Sequence, residues 1–181
     1  LGSIGDLGCL SFHHTKNITS GEGGALLINN PKFIKRAQII KDKGTNRFQY
    51  LNRSINKYSW QDLGSSFGLS EINAAFLFGQ LQDLDFINHS RLNAWKIYHR
   101  EFADLEKKQV IKRPKIPTNC NHNCHIYYLI LRDRKTRDDF IAKMKVLGIE
   151  CTSHYEPLHL SPALDNLNLP KDLKDLKNTI Q

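Results

Sequence analysis

The sequence predicts an α/β fold made of two unlike parts, and three observations carry that expectation. Two short apolar runs, LGCLSF at 7–12 and GGALLIN at 23–29, flank a glycine-marked turn and lead into a helical pattern. A second series, HIYYLILR (125–132), TRDDFIAKMKVLG (136–148) and IECTSHY (149–155), reads as strand, helix, strand. A long helical pattern lies between them, which places a domain boundary inside or just after that helix.

The elements follow in order. Residues 7–12 form a short buried strand and 23–29 a second. Asn30 caps a helix and Pro31 occupies its first position, where a missing amide hydrogen costs nothing. Ile34, Ala37, Ile40 and Lys41 fall near a helical period, and Gly44 ends it in a left-handed conformation. Residues 45–68, TNRFQYLNRSINKYSWQDLGSSFG, are aromatic, polar and glycine-marked. That is a long loop for a compact domain, and long ordered loops are often functional.

Ser70 caps the next helix, with Glu71 in its first turn. Ile72, Ala75, Phe76, Gly79, Leu84, Ile87, Trp95 and Phe102 mark an apolar face reaching about residue 105. A break at 88–90 fits the pattern equally well. Pro114 and Pro117 make 112–123 a connector. In the 136–148 helix, Phe140, Met144 and Leu147 fall on one side and Gly148 is the stop. The tail LPKDLKDLKNTIQ starts a further helix.

Composition narrows the class. At 181 residues and 40% hydrophobic, with nine Phe, six Tyr and two Trp, the chain has material for a core. No run reaches the roughly 18 apolar residues of a membrane span. The opening LGSIGDLGCLSF lacks the basic flank of a signal peptide. It also lacks an initiator Met, and the chain begins as if already inside a protein. Four dispersed cysteines suit a reducing, cytoplasmic setting better than a disulfide scaffold. The net charge of +8 comes from Lys and Arg mixed with Asp and Glu, with no aromatic-interleaved basic stripe. Neither nucleic acid nor membrane is therefore an expected partner.

The stretch SFHHTKNITSGEGGALL (11–27) raises the chemical question. A Walker-type phosphate loop places its lysine after the glycines and at a helix start. Here Lys16 precedes the glycines and a strand follows them, which argues against a nucleotide triphosphatase. The GEGG turn alone would serve any tight strand entry. A lysine desolvated near a strand end is a nucleophile for carbonyls, such as the aldehyde of pyridoxal phosphate. Ser11 is then a candidate donor to the phosphate.

In CNHNCH (120–125), Cys120, Cys124 and a histidine offer metal-ligand chemistry, but no second Cys or His pair stands at zinc spacing. A structural cluster is the simpler reading, and no metal is expected. His154 and Tyr155, with His159 behind them, stand at a predicted strand end, where ligands gather in mixed α/β folds. Arg47 and Arg53 in the long loop could meet a phosphate or carboxylate, or simply face solvent.

On these residues the chain resembles the DegT/DnrJ/StrS-type sugar aminotransferases. The likeness runs from GDLGCLSFHHTKNITSGEGGALLINN through KDKGTNR, YSWQDLGSSFGLSEINAAFLFGQL and NHNCHIYYLIL to SHYEPLHLSP, essentially the whole chain. It implies a fragment of a fold-type I pyridoxal-5'-phosphate-dependent transferase. Residues 1–105 would be the second part of the large cofactor-binding domain with the long connecting helix. Residues 106–181 would be an incomplete small domain. The resemblance assigns Lys16 as the lysine that bonds the cofactor and Ser11 as a phosphate ligand. It sets His125 and His154, with Tyr155 and His159 of the same motif, on the substrate side, where Arg47 of the long loop is a further candidate. It implies amino transfer from glutamate to a dTDP-linked keto-sugar, by a homodimer whose sites draw on both subunits. One departure stands out: a family asparagine that reaches a phosphate across the dimer is matched here by Gly68.

Overall fold

The structure is a computed structural model and describes residues 2–155 and 161–162. Its elements are β1 (Leu7–Ser11), β2 (Gly24–Ile28), α1 (Ile34–Lys41), α2 (Arg47–Leu51), α3 (Glu71–Gln82), α4 (Leu84–Glu101), α5 (Ala103–Lys107) and α6 (Arg134–Val146). They fall into two units. One holds the residues up to Ala94 together with Asn121–His125; the other holds Trp95–Cys120 and the residues from Ile126 on.

In the first unit β1 and β2 pair antiparallel, from Leu7 opposite Ile28 to Ser11 opposite Gly24. The pairing continues one step past the ladder, where the Phe12 amide donates to the Gly23 carbonyl at 2.8 Å. A Cβ on Gly24 would lie 2.7 Å from the Leu10 carbonyl oxygen, so the close strand entry requires glycine. Asn30 accepts from the Lys32 amide and Pro31 opens a 3-10 turn that leads into α1, as the cap pattern predicts.

Gly44 ends α1 at φ +74°, its amide donating to the Ile39 carbonyl at 2.8 Å. Its own carbonyl accepts from the amides of Gln61 (2.7 Å) and Asp62 (3.0 Å). Isolated bridges pair Asp42 with Ser66 and Thr45 with Trp60, and Arg36 pairs with Asp62. The predicted long loop is therefore a strap that returns to the end of α1, with α2 inside it.

Ser70 caps α3 by accepting from the Asn73 amide at 3.2 Å. The helical pattern breaks at Asp83, earlier than the predicted 88–90 and without glycine or proline. Asp83 leaves the helical conformation (φ −98°, ψ 15°), while its carbonyl already accepts from the Ile87 amide of α4. A second break at Phe102 separates α4 from α5. Ile72, Phe76, Phe78 and Phe86 are exposed, Ile72 at 83%. No large side chain among the described residues is fully buried.

The second unit gathers aromatic rings from α4 and the segment after the connector. Trp95 stacks on His99 with centroids 4.5 Å apart, and Tyr127 lies 5.4 Å from Trp95, 5.5 Å from Tyr98 and 5.9 Å from Phe102. Burial pushes the Tyr127 hydroxyl pKa up. Half-buried Arg113 donates to both carboxylate oxygens of Glu106, at 2.8 Å from its amide and 2.7 Å from Nε, and also to the His99 carbonyl. These hydrogen bonds hold the Glu106 carboxyl below its usual range.

Two predicted strands are not formed. Residues 125–131 keep the two-residue alternation of a strand: His125, Tyr127, Leu129 and Leu131 are half-buried, with exposed neighbours between them. A strand also needs a ladder, and among the described residues only Lys112 pairs with Ile130, at 2.9 and 3.0 Å. Residues 149–155 form no strand pairing among the described residues. Between them α6 begins two residues earlier than predicted, because Asp133 caps it by accepting from the Thr136 amide at 2.7 Å. That bond, helped by Arg132, lowers the Asp133 pKa to about 2. Gly148 (φ +75°) ends α6: its amide bonds the Lys145 carbonyl and that of Ile149 bonds Met144, a Schellman closure. Phe140, Ile141 and Met144 form its half-buried face, whereas the predicted Leu147 is 71% exposed. The tail-helix expectation lies outside the described residues. No helix among the described residues is long and apolar enough to cross a membrane.

Candidate active site

The β1–β2 connection, residues 12–23, carries Lys16. It is closed by the Phe12–Gly23 bond and by the Ser20 amide donating to the Phe12 carbonyl at 2.9 Å. Ser20 is buried, and its hydroxyl reaches the Glu22 carbonyl at 2.9 Å. Within this frame the Lys16 amide donates to the His13 carbonyl at 2.9 Å, forming a turn. Lys16 is half-buried, and its ammonium forms no ion pair among the described residues. Ser11 ends β1 with its hydroxyl 3.4 Å from the His13 amide. One strand end thus presents a hydroxyl, a turn amide and a primary amine.

Asn17, which the sequence reading did not single out, joins this loop to residues 121–125. Its Nδ2 donates to the Asn123 carbonyl at 2.6 Å, and its Oδ1 lies 2.9 Å from Nδ1 of His125. The His125 carbonyl in turn accepts from Arg91 at 3.4 Å. Lys16 and His125 are therefore connected through a single intervening residue, although 109 positions separate them. Cys124, buried and at φ +53°, has its sulfur 3.6 Å from Nδ1 of His122, so half of CNHNCH faces inward.

The other predicted residues are placed as follows. Arg47 opens α2 in the same unit and is exposed. His154 and Tyr155 belong to the second unit, with ring centroids 5.0 Å apart and Tyr155 87% exposed. His159 lies outside the described residues. Gly68 has nothing within 4 Å of where a Cβ would stand, so the position has room for a side chain. One metal-type grouping occurs among the described residues, His13, His14 and Glu22, with ligand atoms within 4.8 Å of one another. His13 there already contacts Glu22 at 3.4 Å and Thr15 at 2.9 Å.

A profile of the DegT/DnrJ/EryC1/StrS aminotransferase family matches residues 1–180. The chain belongs to that family. Its members are pyridoxal-phosphate-dependent sugar aminotransferases, and the fold is that of fold-type I. Among relatives, the uncharacterized protein MJ1066 of Methanocaldococcus jannaschii is 31% identical over 169 residues, covering 90% of this chain and 43% of the relative. Among solved structures, DesV of S. venezuelae, in complex with a ketimine intermediate, superposes with a TM-score of 0.77 at 26% identity, covering 94% of this chain and 43% of DesV. PseC of Helicobacter pylori, an aminotransferase of pseudoaminic acid biosynthesis, superposes at 0.80 with 21% identity over 94% of this chain and 44% of PseC. The chain thus spans under half the length of these relatives.

The donor set fits the family's cofactor. A primary amine that forms no ion pair among the described residues can bond an aldehyde, and the Ser11 hydroxyl can donate to a phosphate oxygen.

Proposed function

We propose that the protein carrying this chain is a pyridoxal-phosphate-dependent sugar-nucleotide aminotransferase in which Lys16 is the catalytic amine. The supporting observation is the placement of Lys16 in a closed loop at the end of β1, between Ser11 and the GEGG turn. Residues 1–105 then serve as the second part of the large domain and 106–181 as part of the small one. Pyridoxal phosphate, when bound, supplies an aldehyde and an electron sink. Ser11 would donate a hydrogen bond to its phosphate. Lys16 would hold the cofactor through its amine and, when that amine is free, would move a proton on and off the carbon that loses or gains the amino group. His125, His154, Tyr155, His159 and Arg47 line the substrate side.

For the substrates, the likeness in KGTNR, SWQDLGSS and HYEPLH favours L-glutamate as donor and the 4-keto carbon of dTDP-4-dehydro-6-deoxy-D-glucose as acceptor. That is the reaction of dTDP-4-amino-4,6-dideoxygalactose transaminase in enterobacterial common antigen synthesis. Another nucleotide-sugar 3- or 4-aminotransferase is the neighbouring alternative. The working form is a cytoplasmic homodimer.

The test is a visible absorption spectrum of the chain with pyridoxal phosphate, before and after glutamate, beside Lys16→Ala. A band that requires Lys16 and bleaches with glutamate supports the reading. A band unchanged in Lys16→Ala refutes the role of Lys16. The exposed Ile72, Phe76, Phe78 and Phe86 favour a second reading, in which this chain acts only in association with further polypeptide. A band that appears only when a complementary chain is added selects it.

A further inference from the structure

The amide of Asn17 has two ends and two different neighbours. The Asn123 carbonyl can only accept a hydrogen bond, so the end 2.6 Å from it must be the donating Nδ2. That fixes the other end as Oδ1, which can only accept. The imidazole nitrogen facing Oδ1 at 2.9 Å, Nδ1 of His125, must then carry the hydrogen. We infer that Asn17 is a positioning residue that holds neutral His125 in its Nδ1–H tautomer and thereby makes Nε2 the ring's acceptor nitrogen.

The arrangement is braced at three points. Asn123 O anchors the amide, Oδ1 anchors the ring, and Arg91 holds the His125 carbonyl at 3.4 Å. A neutral imidazole free in water favours the opposite tautomer, with hydrogen on Nε2, so the assignment is a property of this network. An acceptor Nε2 takes the hydrogen of a donor such as a hydroxyl or an ammonium; it does not pair with a carboxylate or phosphoryl oxygen while the ring is neutral. The tautomer does not depend on the aminotransferase reading.

The test is ring nitrogen-15 NMR of the histidine-labelled 181-residue chain, at a pH where imidazoles are neutral. The His125 signals are assigned by their loss in His125→Gln. The wild type should show the protonated-nitrogen signal at Nδ1 and the lone-pair signal at Nε2. Asn17→Leu, which lacks the acceptor, should exchange the two. Asn17→Asp should retain the Nδ1–H pattern, because a carboxylate oxygen still accepts there. Both substitutions lose the bond to Asn123, so a difference between them isolates the acceptor from any general loosening. A wild-type Nε2–H pattern overturns the inference without any variant, and so does Nδ1–H persisting in Asn17→Leu. None of these readouts uses cofactor or turnover, so failure of the aminotransferase reading leaves them intact and is detected separately.

Discussion

Replacing Gly44 with alanine should destabilise the first unit by about 3 kcal/mol, and the figure follows from two contributions. The residue sits at φ +74°, where a Cβ costs about 1–2 kcal/mol. That Cβ would also stand 1.7 Å from the Asp62 carbonyl oxygen and 3.0 Å from Nε1 of Trp60. The oxygen belongs to backbone, so the strap must move away. It then gives up the hydrogen bonds from Gln61 and Asp62 to the Gly44 carbonyl, each contributing about 0.5–1.5 kcal/mol. For a chain of this size, about 3 kcal/mol lowers the melting temperature by about 6–12 °C. Thermal unfolding followed by circular dichroism reads the shift, and Gly68→Ala, whose Cβ meets nothing within 4 Å, is the control. A Gly44→Ala melting temperature within about a degree of wild type would refute the argument. So would an equal fall in Gly68→Ala.

Further expectations concern the two lowered carboxyl pKa values. Asp133 is held at about 2 by its bonds to Thr136 and Arg132, below its unfolded value. Its stabilisation of α6 is therefore full above the ordinary aspartate range and is lost as pH falls through about 2. Carbonyl NMR titration should place its midpoint there, and Asp133→Ala should remove acid-dependent exchange from the first turn of α6. A midpoint near the ordinary value would contradict the cap. Arg113→Met should bring Glu106 back up toward the usual glutamate range and weaken the Trp95–Tyr127 cluster, read as altered Trp95 fluorescence. An unmoved Glu106 titration would show that Arg113 is not its cause.

Local signals were legible wherever one residue's chemistry decides the backbone. Asn30–Pro31, Gly44, Ser70 and Gly148 each perform the turn or cap that their type predicts. The Asp83 break was not legible, because no local residue type demands it. The strand pattern at 125–131 was legible as alternation but not as a sheet, since ladder partners are a tertiary matter. In the candidate site, Lys16 and Ser11 stood out from their place beside GEGG. Asn17 did not, because an asparagine in a turn carries no local sign of a histidine 108 residues away.

The β1–β2 hairpin also bears on the order of events in time. Its partners lie at most 21 residues apart, so the Lys16 loop can close within about microseconds of collapse, though a lone two-stranded hairpin is only marginally stable. The Asn17–His125 clasp must wait for a separation of 108 residues to close, an entropically slower step. During synthesis the same order is enforced, because the lysine loop leaves the ribosome long before residue 125 is made. The loop that carries Lys16 is thus set early, and the histidine that clasps Asn17 arrives late.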